Sequence, residues 1–150
     1  MLVYNIRRAK YAGSLTASGV ANRWNMEEEF VIYTGCSRAL SVLEIVVHRS
    51  GIVLNEPYRL LVIEIKETPA DILELKPDQL PEKWRSLVAY PKLQGLGSDW
   101  YQGNKQLLLK VPSAVVPMEY NILINTRHPK FNTHVRLKDT EIFDWDERLF

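Results

Sequence analysis

The fold class that this sequence of 150 residues predicts is α+β, in a single domain. Several short segments are rich in β-branched and aromatic residues, which favour strands. One longer segment has the caps and apolar content of a helix, and the elements do not alternate as they do in a parallel α/β protein. The chain has the usual length of one domain and contains no internal repeat or linker. Residues 1–150 are therefore expected to form one unit.

Short apolar segments predict the strands. They are MLVYNI, FVIYTG, YRLLVIEIKE, QLLLKVPSAVVP, EYNILIN and HVRLKDTEIF. QLLLKVPSAVVP is predicted to form two short strands broken at Pro112, because proline cannot donate a hydrogen bond to a central ladder. HVRLKDTEIF is predicted to close the sheet. Residues 68–103 are punctuated by proline and glycine, which indicates short helical turns at LPEKWRS and around SDWYQGN, joined by loops.

The segment SRALSVLEIVVHRSG predicts a helix. Ser37 is the expected N-cap, Arg49 lies in the last turn, and Gly51 is the expected C-terminal stop. Glu44 has apolar neighbours on both sides, so the helix is expected to be buried around most of its circumference. A buried, unpaired carboxylate costs several kcal/mol, so Glu44 there needs a cation, a donor or a ligand. The alternative is a solvated edge of the helix that carries Glu44.

Composition and charge exclude several function classes. The net charge of +1 and the pI near 7.8 do not favour electrostatic binding to nucleic acid or to an anionic membrane. The chain contains a single cysteine, Cys36, which indicates a reducing compartment. There is no apolar run of signal-peptide or membrane-spanning length. The expected location is the cytoplasm.

Common cofactor and metal motifs are absent from the sequence. It contains no GxGxxG and no GxxxxGK[ST], and its histidines and its cysteine lack zinc-ligand spacing. Ser113 is not surrounded by a GxSxG nucleophile elbow. No bound metal or cofactor is therefore expected.

Two residues ahead of the helix suit a ligand site. Arg23 lies in the polar segment NRWN, and a guanidinium there suits phosphates and carboxylates; the alternative is a surface arginine stacked on Trp24. Tyr33 ends a predicted strand, where an aromatic ring is either a core residue or a stacking platform. From the local chemistry alone, the sequence indicates an α+β domain with an anionic-ligand site.

Two blocks of sequence, taken together, resemble the RES-domain family. The first consists of RWN, then VIYT, then a helix carrying ALxxLExxxH, and the second is LLLKVPSAVVPMEYNILINTRHPKF. The order and spacing of the blocks agree with the family from the first strand to about Phe131. The resemblance implies a fold similar to that of ADP-ribosyltransferases, with a mixed, split β-sheet core and flanking helices.

The resemblance also implies a function. Family members are typically toxins of bacterial toxin–antitoxin pairs, neutralised by an Xre-type antitoxin, and they degrade NAD+ at the nicotinamide–ribose bond, with NAD+ as the substrate. Assembly with an even number of toxin copies, such as a homodimer, is usual, without direct contact to nucleic acid or membrane. The implied site residues, catalytic or substrate-binding, are Arg23, Tyr33, Glu44, Ser113, Asn121 and Asn125.

Three places depart from the family pattern. Asn5 replaces the arginine that usually follows the first tyrosine, Asn22 replaces a glycine before RWN, and Glu27-Glu28-Glu29 occupies the place of a later glycine. Asn5 removes a positive charge and the three glutamates add negative charge near a site for an anionic ligand, whereas Asn22 has less backbone freedom than glycine. The alternative function is therefore a weak or inactive module that acts by binding its antitoxin.

Overall fold

One seven-stranded mixed sheet forms the centre of the computed structural model, which describes residues 1–48 and 52–150. The strands are β1 (Leu2–Arg8), β2 (Val31–Gly35), β3 (Tyr58–Ile65), β4 (Ile72–Glu74), β5 (Leu108–Pro112), β6 (Tyr120–Asn125) and β7 (Val135–Phe143). They lie in the order β4-β5-β6-β2-β1-β3-β7, and only the β4–β5 pair is parallel. The α+β class is confirmed, and β7 closes one edge as predicted.

The sheet is split between β1 and β2. These strands pair at a single position, Tyr4 with Gly35, whereas β1 pairs with β3 along its whole length. Beyond that position the Asn5 side chain bridges the gap, donating from Nδ2 to the Tyr33 carbonyl at 2.9 Å. The two strands therefore diverge and leave an opening in the middle of the sheet.

The helices are α1 (Arg38–Val47), α2 (Tyr90–Gly103) and the short α3 (Phe131–His134), with 3-10 turns at Ala9–Tyr11, Pro69–Asp71, Pro77–Gln79, Leu87–Ala89 and Glu147–Leu149. The predicted N-cap is confirmed, because Ser37 Oγ accepts from the Leu40 N–H at 3.0 Å. The Arg49 and Gly51 predictions lie outside the described residues. No helix in the described ranges is long and apolar enough to cross a membrane.

The expectation that α1 is buried around most of its circumference is wrong. Only Leu40 and Ser41 are buried, while Leu43 and Val47 are exposed. The helix lies on the outer side of one sheet face, so its far side contacts solvent. Apolar composition alone did not distinguish a helix with one buried side from one buried all round.

The helix α2 is longer than the sequence predicted. Pro91 lies in its first turn, where the missing N–H has no helical partner in any case. Gly97 is required by packing: a Cβ there would lie 1.6 Å from the Trp24 carbonyl oxygen. The proline and the glycine that indicated loops thus have other roles: Pro91 begins the helix, and Gly97 lets it approach residues 22–29.

Two other segments match the prediction only in part. LPEKWRS forms the predicted turns, held by bonds such as Trp84 N–H to the Pro81 carbonyl, but they do not extend into a helix. The second half of QLLLKVPSAVVP is a loop, because the chain turns immediately after Pro112. This loop brings Ser113 into hydrogen-bond contact with Glu44 on α1.

Apolar clusters cover the two faces differently. One face holds a cluster that includes Val3, Ile32, Leu61 and Ile122. The other face holds two clusters, one under α2 around Trp24 and Leu123, and one under α1 around Tyr58 and Leu60. The space between these two clusters lies over the split in the sheet. Its lining includes polar side chains such as Glu44 and Asn121.

Candidate active site

Glu44 on α1 is held by two side-chain donors. Ser113 Oγ donates to Glu44 Oε1 at 2.7 Å, and Asn121 Nδ2 donates to the same oxygen at 2.6 Å. Glu44 is half-buried, and these hydrogen bonds offset the free-energy cost of removing its carboxylate from water. The second oxygen, Oε2, has no hydrogen-bond partner among the described residues. The carboxylate is oriented by the protein on one side and open to the cleft on the other.

Ser113 lies beneath the carboxylate and not in the cleft wall. Its side chain is fully buried, and its Oγ also accepts the backbone N–H groups of Val115 and Val116 at 3.1 and 3.0 Å. The two accepted bonds leave the hydroxyl hydrogen free to point at Glu44. The arrangement suits a residue that positions Glu44, and it gives Ser113 no direct path to a ligand in the cleft.

Tyr33 on β2 forms a wall of the cleft. Its hydroxyl donates to Asn25 Oδ1 at 2.6 Å and accepts the Trp24 N–H at 3.1 Å, so the ring is fixed at both ends. Burial raises the pKa of the Tyr33 hydroxyl, which keeps it neutral. The ring is held to the loop that precedes the strand, and one side of it faces the cleft.

Arg23 lies in the loop before β2. Its guanidinium stacks on the Tyr90 ring, 4.7 Å from the centroid, and donates to the Trp84 carbonyl at 3.1 Å. Trp24 is buried under α2, so the predicted alternative of Arg23 stacked on Trp24 is wrong. Arg23 and Glu44 line the same small cavity, together with Tyr33 and Asn121.

A cleft of about 250 Å³ lies between α1 and the diverging strands. Its lining includes Tyr33, Glu44, His48 and Asn121, with Asn5 at the split. Asn121 Oδ1 is buried and has no protein partner in the described part of the chain. A buried acceptor without a partner costs free energy, and a donor on a ligand would relieve that cost.

Asn125 is not brought to the cleft. It lies four residues from Asn121 on β6, about 13 Å away at the usual strand rise. Its Nδ2 donates to the carbonyl of Tyr101 and to Asn104 Oδ1, and its Oδ1 accepts the Arg127 N–H. The side chain is fully buried and its contacts are internal, which suits a structural role at the end of α2.

The three departures from the family pattern have identifiable local consequences. Asn5 bridges the split, as described above, and Asn22 does not adopt the positive φ that would require glycine. Glu28 does adopt a positive φ of 64°, which gives a physical reason for glycine near this place. Glu29 is buried away from the cleft, accepting from Ser98 and Gln102, so the three acidic residues do not all face the ligand.

His48 is a cleft residue that the sequence analysis did not select. It lies one helical turn after Glu44 and lines both the larger and the smaller cavity. The four-residue spacing from Glu44 is the signal that places it on the same face. Among the described residues, no group of three histidine, cysteine or acidic side chains is arranged to hold a metal ion.

Comparison with known proteins identifies the family. The sequence profile of the RES domain matches residues 2–146. The chain belongs to the RES-domain family. Its RES domain contains the cleft, Glu44 and both residues that hold the Glu44 carboxylate.

Curated relatives of this RES domain are bacterial. A protein named Toxin Res from Photorhabdus laumondii is 32% identical over 99% of this chain and 97% of its own. Another Toxin Res, from Yersinia enterocolitica, is 33% identical over 99% of both chains. The Prs ADP-ribosylating toxin of a Sphingobium species is 37% identical over 81% of this chain and 78% of its own.

A solved structure shares the fold of this RES domain. The Mycobacterium tuberculosis MbcT–MbcA toxin–antitoxin complex contains a chain that superposes with a TM-score of 0.74. The match covers 95% of this chain and 84% of that chain, at 18% sequence identity. The likeness supports the split mixed sheet with flanking helices that the resemblance predicted.

Proposed function

We propose that this protein is the toxin of a bacterial toxin–antitoxin pair and that it degrades NAD+ by cleaving the nicotinamide–ribose bond. The observation that carries the proposal is the Glu44 carboxylate. One of its oxygens is held by Ser113 and Asn121, and the other is open to the cleft. The names of the curated relatives support the toxin role and an activity on NAD+.

The chemistry of this bond requires a fixed negative charge. Cleavage releases neutral nicotinamide and develops positive charge on the ribose, as in other N- and O-glycosidic cleavages through an oxocarbenium-like transition state. A carboxylate that is already oriented stabilises this charge without reorganising at the moment of reaction. Glu44 Oε2 is the atom proposed to face the ribose and accept hydrogen bonds from its hydroxyl groups.

The walls of the cleft supply the remaining contacts. Tyr33 would stack on the nicotinamide ring, and its fixed hydroxyl keeps the ring plane in place. Arg23 would hold a phosphate, because its stacking on Tyr90 and its bond to the Trp84 carbonyl leave further N–H groups for an anion. Asn121 Oδ1, which lacks a protein partner in the described structure, would accept from a ligand donor.

Partner and location belong to the same proposal. The solved complex of similar fold is a toxin with its antitoxin, which supports an antitoxin partner here, proposed to be of the Xre type. NAD+ is abundant in the cytoplasm, where a toxin of this kind would act. Assembly as a homodimer within the complex is proposed on the family resemblance.

The test is an NAD+ consumption assay on purified protein without antitoxin, with and without inorganic phosphate, and with identification of products. We expect loss of NAD+ and release of nicotinamide. Glu44→Gln keeps the shape and hydrogen-bond acceptor but removes the charge, and we expect it to lower kcat at least 100-fold. Glu82→Gln is the matched control, because Glu82 is exposed and lies outside the cleft.

The outcomes separate the two functions. Folded Glu44→Gln with wild-type release of nicotinamide would refute the assignment of Glu44. Wild-type protein that leaves NAD+ intact under both phosphate conditions, yet binds an Xre-type antitoxin, would favour the non-catalytic module. Dependence of the rate on phosphate would identify phosphate, and not water, as the acceptor.

A further inference from the structure

Arg7 on β1 is a cation without an ion-pair partner. Its Nε donates to Asn5 Oδ1 at 2.7 Å, and its Nη1 donates to the carbonyl of Thr16 at 3.0 Å and more weakly to that of Tyr11. No carboxylate lies within ion-pair distance of it in residues 1–48 and 52–150. All of its partners are neutral, so its charge is not compensated by the described protein.

Burial makes this lack of a counter-ion costly. Burial lowers the pKa of the Arg7 guanidinium, because removing water disfavours its charged form. Directly opposite on β3 lies Arg59, and its guanidinium donates to the Tyr58 carbonyl without an ion pair among the described residues. Like charges at directly opposed positions destabilise a sheet. An anion bound beside Arg7 would supply the missing counter-ion.

Arg7 lines a second cleft of about 580 Å³ on the other side of the split. This second cleft adjoins the first, since Asn5, Ile6 and Tyr33 line both. Its wall includes the hydroxyl-bearing residues Thr16 and Ser18. The two clefts are thus neighbours, with Glu44 in the lining of the first and Arg7 in the lining of the second.

We propose that the Arg7 cleft is a phosphate-binding subsite that receives the nucleoside-monophosphate part of the dinucleotide remote from the bond that breaks, while Arg23 holds the other phosphate. The identity of the dinucleotide rests on the proposed function. The anion site itself rests on the unpaired guanidinium and the adjoining cleft. Arg7 also donates to Asn5, which bridges to Tyr33, so a ligand held at Arg7 is connected to the wall of the first cleft.

Inorganic pyrophosphate is the probe, and its binding to the whole chain is measured by isothermal titration calorimetry at several salt concentrations. We expect wild-type protein to bind it, and Arg7→Gln to weaken binding at least fivefold. We also expect Arg7→Gln to reduce the salt dependence, because fewer counter-ions are then released. Arg136→Gln is the matched control: it removes an exposed, Glu64-paired arginine on β7 and should leave binding unchanged.

Loss of the Arg7 bonds to residues 11–16 can itself disturb folding, so a second variant is needed. Ser18→Asp leaves Arg7 intact and adds a carboxylate at the cleft wall, next to the Val20 N–H that Ser18 Oγ now accepts. We expect it to weaken pyrophosphate binding at least fivefold as well. Folding of each variant is checked by thermal unfolding.

The results distinguish this inference from the proposed function. No binding by the wild type up to millimolar pyrophosphate, or a weakening of less than fivefold in folded Arg7→Gln, overturns the subsite. If Arg23→Gln weakens pyrophosphate binding and Arg7→Gln does not, the subsite is overturned as well. Failure of the proposed function is a different observation, namely no consumption of NAD+ by the wild type. If the subsite and the proposed function are both correct, Arg7→Gln raises KM for NAD+ with little change in kcat, because the phosphates are remote from the bond that breaks.

Discussion

Ser113→Ala tests whether this serine acts on the substrate or on Glu44. The substitution removes the hydroxyl that donates to Glu44 at 2.7 Å and that accepts two backbone N–H groups, those of Val115 and Val116. Ser113 is fully buried and lies outside the lining of the cleft. The structure therefore predicts a loss of stability and of kcat, with no direct loss of substrate contact.

The magnitudes follow from the bonds removed. Two partly buried N–H groups that lose their acceptor cost at most roughly 2–4 kcal/mol of unfolding free energy together. This corresponds to a decrease in Tm of about 5–15 °C for a domain of this size. A hydrogen bond to a charged carboxylate contributes about 1.5–3 kcal/mol, so kcat should fall on the order of 10- to 100-fold, since Asn121 still holds Glu44.

The assay is steady-state NAD+ consumption with thermal unfolding of the same preparation. Ser98→Ala is the matched control, because Ser98 Oγ also donates to a carboxylate at 2.7 Å, that of buried Glu29, away from the cleft. It should lower stability and leave kcat unchanged. A Ser113→Ala enzyme with raised KM and unchanged kcat would show instead that the serine contacts substrate, and the positioning argument would fail.

The remaining predictions concern the fold around the cleft. Gly97→Ala should destabilise the protein by more than about 3 kcal/mol, because the new Cβ would lie 1.6 Å from a backbone oxygen. Gly95→Ala on the same helix meets open space and should stabilise the protein by about 0.5–1 kcal/mol. Denaturant unfolding measures both free energies, and an unchanged stability of Gly97→Ala would contradict the packing. The Lys130 ammonium, and then the Thr68 N–H, lower the pKa of Asp71 to about 2. This contribution to stability is present above the ordinary pKa near 3.8 and is lost as pH falls toward 2, so Tm at pH 3 should drop less in Asp71→Asn than in the wild type. Equal decreases in Tm would refute the stabilising role of the Lys130–Asp71 pair.

Local patterns were sufficient for most of the sheet and for the family. Alternation and β-branched content located β3, β6 and β7, and Ser37 marked the start of α1. The resemblance to the RES-domain family implied that Arg23, Tyr33 and Glu44 share one site, and the structure brings these three side chains around the same cavity. The strands and the N-cap depend on residues near one another in sequence, where periodicity and capping are direct physical signals.

Helix α2 was predicted too short because its glycines have a tertiary cause. By local propensity alone Gly97 disfavours a helix, since glycine costs about 1 kcal/mol there. In the fold, the same residue allows the helix to contact the Trp24 backbone, and Gln94 then donates to the Asn22 carbonyl. The helix that positions the Arg23 loop thus depends on a contact between segments more than 70 residues apart.

The sequence by itself determined the α+β class, the strand and helix pattern of the first half, membership of the RES-domain family and the identity of Glu44 as the residue to test. Only the tertiary structure decided what surrounds that carboxylate. Ser113 and Asn121 reach Glu44 from 69 and 77 residues away. The split between β1 and β2 places Arg7 in a cleft that adjoins the first. The physical reason is that the orientation, burial and charge balance of a side chain are set by neighbours that the chain brings together in space, and no local pattern encodes these contacts.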